Sequence, residues 1–194
     1  AQMSDTPAGG TVKDGGSLAT DGTNVYALRG DNTKVFWRYN VGANSWTVLA
    51  PVPTNNVKAG GALVFANGAF YAMNGNGKQT FFRYNIAANT WTALAATGTN
   101  VSQGGALAYD GTYLYAFMGN GSTLFKRYDI GANTWSVMTA APATVAWGGA
   151  LAYLASGNTT RTELAAVPTL VKAGGNAATV TMTLTSNNAI SDIA

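Results

Sequence analysis

The chain repeats itself every 44 or 45 residues, and this period limits its possible folds more than any other feature. Pairs of adjacent glycines recur four times, and tryptophan, arginine and tyrosine columns keep the same register through three repeats. The columns are Gly15–Gly16, Gly60–Gly61, Gly104–Gly105 and Gly148–Gly149; Trp46, Trp91 and Trp135; Arg38, Arg83 and Arg127; Tyr39, Tyr84 and Tyr128. A repeat of this length indicates stacked copies of one small supersecondary unit.

Each repeat contains four short runs of strand-forming residues separated by turn residues. Asp-Gly or Asn-Gly dipeptides follow the first run, and they predict two-residue hairpins at Asp21–Gly22, Asn67–Gly68 and Asp110–Gly111. No segment has helical periodicity. Four-stranded units of this length are typical of propeller blades, so the sequence predicts an all-β propeller.

The repeat resembles the kelch-like β-propeller family. The shared features are a glycine-marked inner hairpin, a tyrosine in the second run, and the run from Tyr84-Asn85 to Thr90-Trp91. The glycine pair opens the first strand here, whereas a kelch double glycine usually follows the second strand. The resemblance implies three full four-stranded blades near residues 15–59, 60–103 and 104–147, with partial repeats at 148–166 and 1–14.

Three full repeats are fewer than the four to eight blades of known propellers. Residues 1–14 look like the end of a repeat, and residues 148–154 look like the first strand of another. Pairing these two ends would close a four-bladed monomer. Two other solutions are a larger ring shared by several chains and a chain that is part of a longer protein.

We place the propeller at residues 1–166 and a short β tail at residues 167–194. Residues 179–185 alternate, with Val180, Met182 and Leu184 on one face, which predicts a half-buried strand. The run 171–188 resembles the opening of Ig-like repeat modules of prokaryotic surface proteins. Such a strand can pack on its own propeller, pair with a neighbouring subunit, or belong to a module of a longer chain.

The chain has no histidine and no cysteine. This excludes imidazole bases, thiolate nucleophiles, histidine or thiolate metal centres and disulfides. Kelch-type copper oxidases need histidine ligands and a cysteine-linked tyrosine, which this sequence does not supply. The eight carboxylates show no pairing along the sequence. We therefore expect a protein that is not an enzyme and uses no cofactor or metal.

The charged residues are few and scattered. The net charge of +3 comes from 11 basic and 8 acidic side chains, and the only adjacent basic pair is Lys126–Arg127. Nucleic-acid binding needs clustered positive charge, so we expect no nucleic-acid partner. No apolar run reaches the ~18 residues of a membrane span. Abundant Gly, Ala, Thr and Asn suit a secreted, extracellular or cell-surface protein.

Two of the columns are expected to be structural, and a few irregular residues are candidates for contacts. We expect the arginine column to brace the blades and the tryptophan column to pack between them. Trp37 and Trp147 break the pattern of their columns, and the loops after the second strands carry polar residues. The candidate ligand or partner contacts are Trp37, Trp147, Asn76, Lys78 and Asn120.

The first functional hypothesis is a structural subunit of a fibre, sheath or surface layer that assembles through its C-terminal strand. Its partners would be further copies of the chain or another surface protein. The alternative is an adhesin-like or lectin-like propeller that binds carbohydrate or protein through its loops and Trp147.

Overall fold

The structure is a computed structural model that describes residues 4–7 and 11–153. These residues form twelve strands in three four-stranded antiparallel sheets, without a helix in the described ranges. The strands are β1 (Ser17–Thr20), β2 (Asn24–Leu28), β3 (Phe36–Asn40), β4 (Ser45–Val48), β5 (Ala62–Ala66), β6 (Ala69–Met73), β7 (Phe81–Asn85), β8 (Thr90–Ala93), β9 (Ala106–Tyr109), β10 (Tyr113–Phe117), β11 (Phe125–Asp129) and β12 (Thr134–Val137). The predicted tail, with Val180, Met182 and Leu184, lies outside the described residues.

Each full repeat forms one sheet, whose strands follow chain order from first to fourth. We call these sheets the first, second and third blades. The prediction of three four-stranded units is confirmed. The described residues form no fourth four-stranded sheet.

The predicted hairpin turns are correct in one blade and displaced in two. Asn67 and Gly68 have φ of 47° and 73° and join the paired residues Ala66 and Ala69. Asp21 instead stays on the strand side of its turn, where its carboxylate accepts hydrogen bonds from two main-chain N–H groups, and Asp110 does the same. The aspartate side chain caps the turn, so the turn begins one residue later than predicted.

The first strands β1, β5 and β9 lie side by side around a central opening. Gly60 has a φ of 87°, and a Cβ built on it would collide with the main-chain carbonyl of Ser102 in the next repeat. Gly15 and Gly104 have the same relation to the residues at 58 and 146. The glycine column is therefore required where the backbones of consecutive blades meet.

The hydrophobic core lies between the blades. One cluster joins Tyr26 and Phe36 of the first blade to Phe70 and Tyr84 of the second, with ring centroids 4.1 Å apart for Tyr26–Phe70 and 4.9 Å for Phe36–Tyr84. A second cluster joins the second and third blades in the same manner. Each blade is thus stabilised by the neighbour that covers it, as expected for a repeat that cannot bury its apolar face alone.

The two ends of the array are less covered than the middle. Tyr115, Phe117 and Phe125 of the third blade are partly exposed, whereas their counterparts in the first two blades are 2% exposed or less. At the other end, Leu18 is 66% exposed. A Cβ built at Gly148 has no described atom within 4 Å. Gly148 therefore lacks the close backbone contact that Gly15, Gly60 and Gly104 each make with the next repeat.

Candidate functional site

A polar clamp joins each blade to the segment that follows the previous blade. The side-chain oxygen of Asn89 accepts hydrogen bonds from the Tyr84 hydroxyl at 2.7 Å and from the Ala50 N–H at 2.9 Å. The indole N–H of Trp91 donates to the Ala50 carbonyl at 2.9 Å. Both main-chain polar groups of Ala50 are therefore satisfied by the next blade.

The third blade repeats this clamp on Ala95. The Asn133 oxygen accepts from the Ala95 N–H at 2.9 Å, and the Trp135 indole donates to the Ala95 carbonyl at 3.0 Å. The sequence predicted only turn formation for Asn44, Asn89 and Asn133. Their signal was the constant spacing of Tyr, Asn and Trp in every repeat.

The first blade clamps the N-terminal segment in the same way. Asn44 accepts from the Ser4 N–H at 2.8 Å, and Trp46 donates to the Ser4 carbonyl at 3.2 Å. Ser4 therefore takes the position at the first blade that Ala50 takes at the second. The N-terminal segment lies where the end of a preceding repeat belongs.

The central opening has a mouth lined by the four residues that precede the glycine pairs. We call Asp14, Ala59, Gln103 and Trp147 the mouth ring; with the glycines they enclose about 220 Å³. Trp147 is 72% exposed, and the Gln103 side-chain oxygen accepts a hydrogen bond from the Ser102 hydroxyl. The sequence singled out Trp147 but missed Asp14 and Gln103, which occupy its column in other repeats.

The predicted loop residues lie next to this mouth ring. The main-chain N–H groups of Asn76 and Asn120 donate to the carbonyls of Ala59 and Gln103 at 2.9 and 2.8 Å. Both asparagines have a positive φ, of 58° and 59°, as turn residues do. The structure therefore ties these loops to the mouth through their backbones.

Lys78 and Trp37 lie apart from the mouth ring. The Lys78 side chain is exposed and lines a separate cavity of about 220 Å³ with Phe82 and Leu94. Trp37 is 3% exposed and meets Trp46 edge-on at 5.9 Å between centroids. Its position is that of a packing residue inside the blade array.

All six side chains of the arginine and tryptophan columns are half-buried. The guanidinium carbon of Arg127 lies 4.2 Å from the centroid of the Tyr113 ring, a cation–π contact. The Arg38 Nε atom is buried and has no hydrogen-bond partner among the described residues. Trp46, Trp91 and Trp135 each pack 5.0 Å from the tyrosine ring on the neighbouring strand of their own blade.

Lys126 is an unexpected buried charge. It occupies the position of Trp37 and Phe82 in the other blades, is 7% exposed, and donates from Nζ to the Thr97 carbonyl at 2.6 Å. Burial lowers the pKa of its ammonium group. The hydrogen bond crosses from the third blade to the segment after the second, so Lys126 serves as a polar link between blades.

Two buried tyrosine hydroxyl groups have perturbed pKa values. Burial raises the pKa of Tyr84 and of Tyr128 to about 12, so both phenols stay neutral near pH 7. Within residues 4–7 and 11–153, no three acidic side chains gather into a metal site. In the same ranges, no helix has the length and apolar character needed to cross a bilayer.

Comparison with known proteins identifies a fold relative. No family model and no curated protein matches the sequence. Among solved structures, the chain is similar to the structure of YjhT, a β-propeller-type fold, with a TM-score of 0.60 and 17% sequence identity. The match covers 72% of this chain and 54% of the YjhT chain, so this chain spans about half of that relative. At this identity the similarity shows the fold alone, and that fold is propeller-like.

Proposed function

We propose that this chain is a non-enzymatic structural protein of the cell surface or extracellular space. Its blades are a kelch-like propeller scaffold that assembles with further protein at its open ends. One observation carries the proposal: the third blade presents a partly exposed aromatic face where the first two blades bury theirs. The low charge and the Gly, Ala, Thr and Asn content support the location.

The exposed face is organised in the same manner as the buried ones. The Phe125 ring stacks on Tyr115 at 5.6 Å and contacts Phe117 at 5.2 Å between centroids. Tyr153, in the segment that follows the third blade, is 50% exposed. Contiguous exposed apolar groups of this kind mark protein contact sites. In the interior of this molecule, the matching surfaces are covered by the next blade.

The tail contributes to this proposal through its sequence. The alternation of Val180, Met182 and Leu184 gives one apolar face to an extended segment. A strand with such a face pairs with an exposed sheet edge. We assign the tail the role of attaching one assembled unit to the next, so deletion of residues 167–194 should reduce assembly and leave the blades folded.

A matched pair of substitutions tests whether the open ends drive assembly. Leu18→Lys places a charge on the exposed side of β1, and Val48→Lys places one on the outer strand of the same blade. The two side chains are 66% and 65% exposed, so the cost to folding should be equal. Sedimentation velocity should show assembly lost in Leu18→Lys and retained in Val48→Lys. Equal behaviour of the two variants would refute assembly through this end.

A second candidate function is recognition of a sugar at the mouth ring. It is favoured by the 72% exposed indole of Trp147 in the same lining as the Asp14 carboxylate and the Gln103 amide. An aromatic surface combined with a few polar groups is the usual composition of a small-ligand site.

A further inference from the structure

We infer that the partner at the open end is a second copy of this chain, and that two copies complete one ring of blades. The contact would join residues 147–153 of one copy to β1 of the other. We call this contact the shared seam. The inference rests on the proposed function, because it names the partner in the proposed assembly.

The shared seam would repeat a contact that the chain already makes internally. At the first internal seam, the Ser17 hydroxyl oxygen accepts a hydrogen bond from the Leu63 N–H at 3.0 Å. A Cβ built at Gly61 would lie 2.7 Å from the Gly15 carbonyl, and the glycines of the next seam are as close. Gly149 packs on Gly104 in the same way, so residues 148–153 begin the next position around the central opening.

The other half of the shared seam is β1. Its Leu18 is 66% exposed, whereas the equivalent Leu63 and Leu107 are 5% and 8% exposed because each packs on the preceding blade. The three atoms nearest to a Cβ at Gly16 come from Val12, Lys13 and Arg29, and none of them lies in another full blade. The first blade therefore exposes the side that, in the second and third blades, is covered by the preceding blade.

The outer side of the first blade is also prepared for this arrangement. Ser4 fills the clamp of Asn44 and Trp46, so the trailing end of a preceding repeat is already in place. In the described residues, Leu18 of β1 is exposed and a Cβ at Gly148 meets no atom within 4 Å. Two copies are the smallest number that can share a ring.

Cysteine cross-linking tests the shared seam directly, because the natural chain contains no cysteine. The full chain carrying Leu18→Cys and Ala150→Cys is treated with a short bis-maleimide, and the products are resolved by denaturing mass analysis. The controls are the two single variants, Leu18→Cys and Ala150→Cys, because neither supplies both halves of the shared seam. Both test positions are exposed and open to the reagent.

We expect a covalent dimer from the test pair and none from either single variant. A cross-link within single chains from the test pair would overturn the inference, because the ring would then close on itself. Absence of the test cross-link in protein that still assembles would also overturn it and leave the proposed function standing. Absence of both the cross-link and any assembly would overturn the two together.

Discussion

The amide oxygen of Asn89 accepts a hydrogen bond from the Tyr84 hydroxyl at 2.7 Å, within one blade. The same oxygen accepts the N–H of Ala50, which follows the previous blade. One atom therefore links the turn of a blade to the chain beside it. Asn89 has a φ of 51°, a conformation that asparagine adopts more readily than most residues. Asparagine therefore suits both the positive φ of the turn and the hydrogen bond between blades at this position.

Asn89→Gly should destabilise the protein by about 2 kcal/mol, because it removes the acceptor of two hydrogen bonds worth about 1 kcal/mol each. Glycine keeps the positive φ, so the effect isolates the hydrogen bonds. The control is Asn76→Gly, at a similar φ of 58°, whose side chain makes no hydrogen bond to the described residues. Urea denaturation measures both variants. Equal stability of the two would show that the clamp contributes little.

Gly60→Ala should cost more than 3 kcal/mol and prevent normal packing of the second and third blades. The added Cβ would meet the Ser102 carbonyl, a backbone atom that cannot move without separating the blades. Gly68→Ala is the matched control, since its φ is also positive but its Cβ would have open space. It should cost only about 1 kcal/mol of backbone strain. Thermal unfolding distinguishes the two, and a comparable loss from both would contradict the close contact between the blades.

Tyr84→Phe should lower stability at pH 7 by about 1 kcal/mol, because it removes the hydrogen bond to Asn89. The difference from the natural chain should then shrink above pH 10. The folded pKa of Tyr84 is raised to about 12, above the ~10 of an unfolded tyrosine. The stabilisation is therefore present below pH 10 and is lost as the pH rises towards 12.

Urea denaturation of both proteins between pH 7 and pH 11.5 checks this pH dependence. Tyr153→Phe is the control, because its side chain is half-exposed and should change stability little at pH 7. A difference between Tyr84→Phe and the natural chain that stays constant through pH 11.5 would contradict the burial of this phenol.

Trp147→Ala should weaken binding of a neutral sugar at the mouth ring at least tenfold, since the indole is the main apolar surface there. Gln103→Ala should weaken it less, because it removes only one amide. Glycan arrays find the ligand, and titration calorimetry measures the affinity. The particle mass of each variant is measured in parallel, which separates binding from assembly. Unchanged sugar affinity in Trp147→Ala would rule out the mouth ring as the site.

The sequence predicted the blades well because its strongest signals are local. Glycine pairs and Asn-Gly turns specify backbone conformations, and their spacing predicts four strands per repeat. The clamp on Ala50 was not predictable, because its acceptor and donor on that side are main-chain groups that any residue would supply. The sequence showed the Tyr, Asn and Trp spacing without showing what those side chains hold.

Trp37 shows that an irregular residue in a column can be buried within the blade array. Side chains on both faces of the strand Phe36–Asn40 are buried or half-buried. The alternation of residues along this strand therefore does not show which side chains reach the surface. Trp37 differs from Phe82 and Lys126 in the same column, yet Trp37, Phe82 and Lys126 are all buried. Trp147 breaks its column at the mouth of the opening, where none of the three described blades covers it. The two tryptophans differ in their positions around the central opening, and these positions cannot be read from the repeat alone.

If a second copy completes the open array of blades, the chain should form dimers in solution. Light scattering of the purified full chain after size-exclusion chromatography, over a hundredfold range of concentration, measures this. We expect a discrete particle with twice the 19.9 kDa mass of one chain, or multiples of that unit. A particle of 19.9 kDa at every concentration would contradict it.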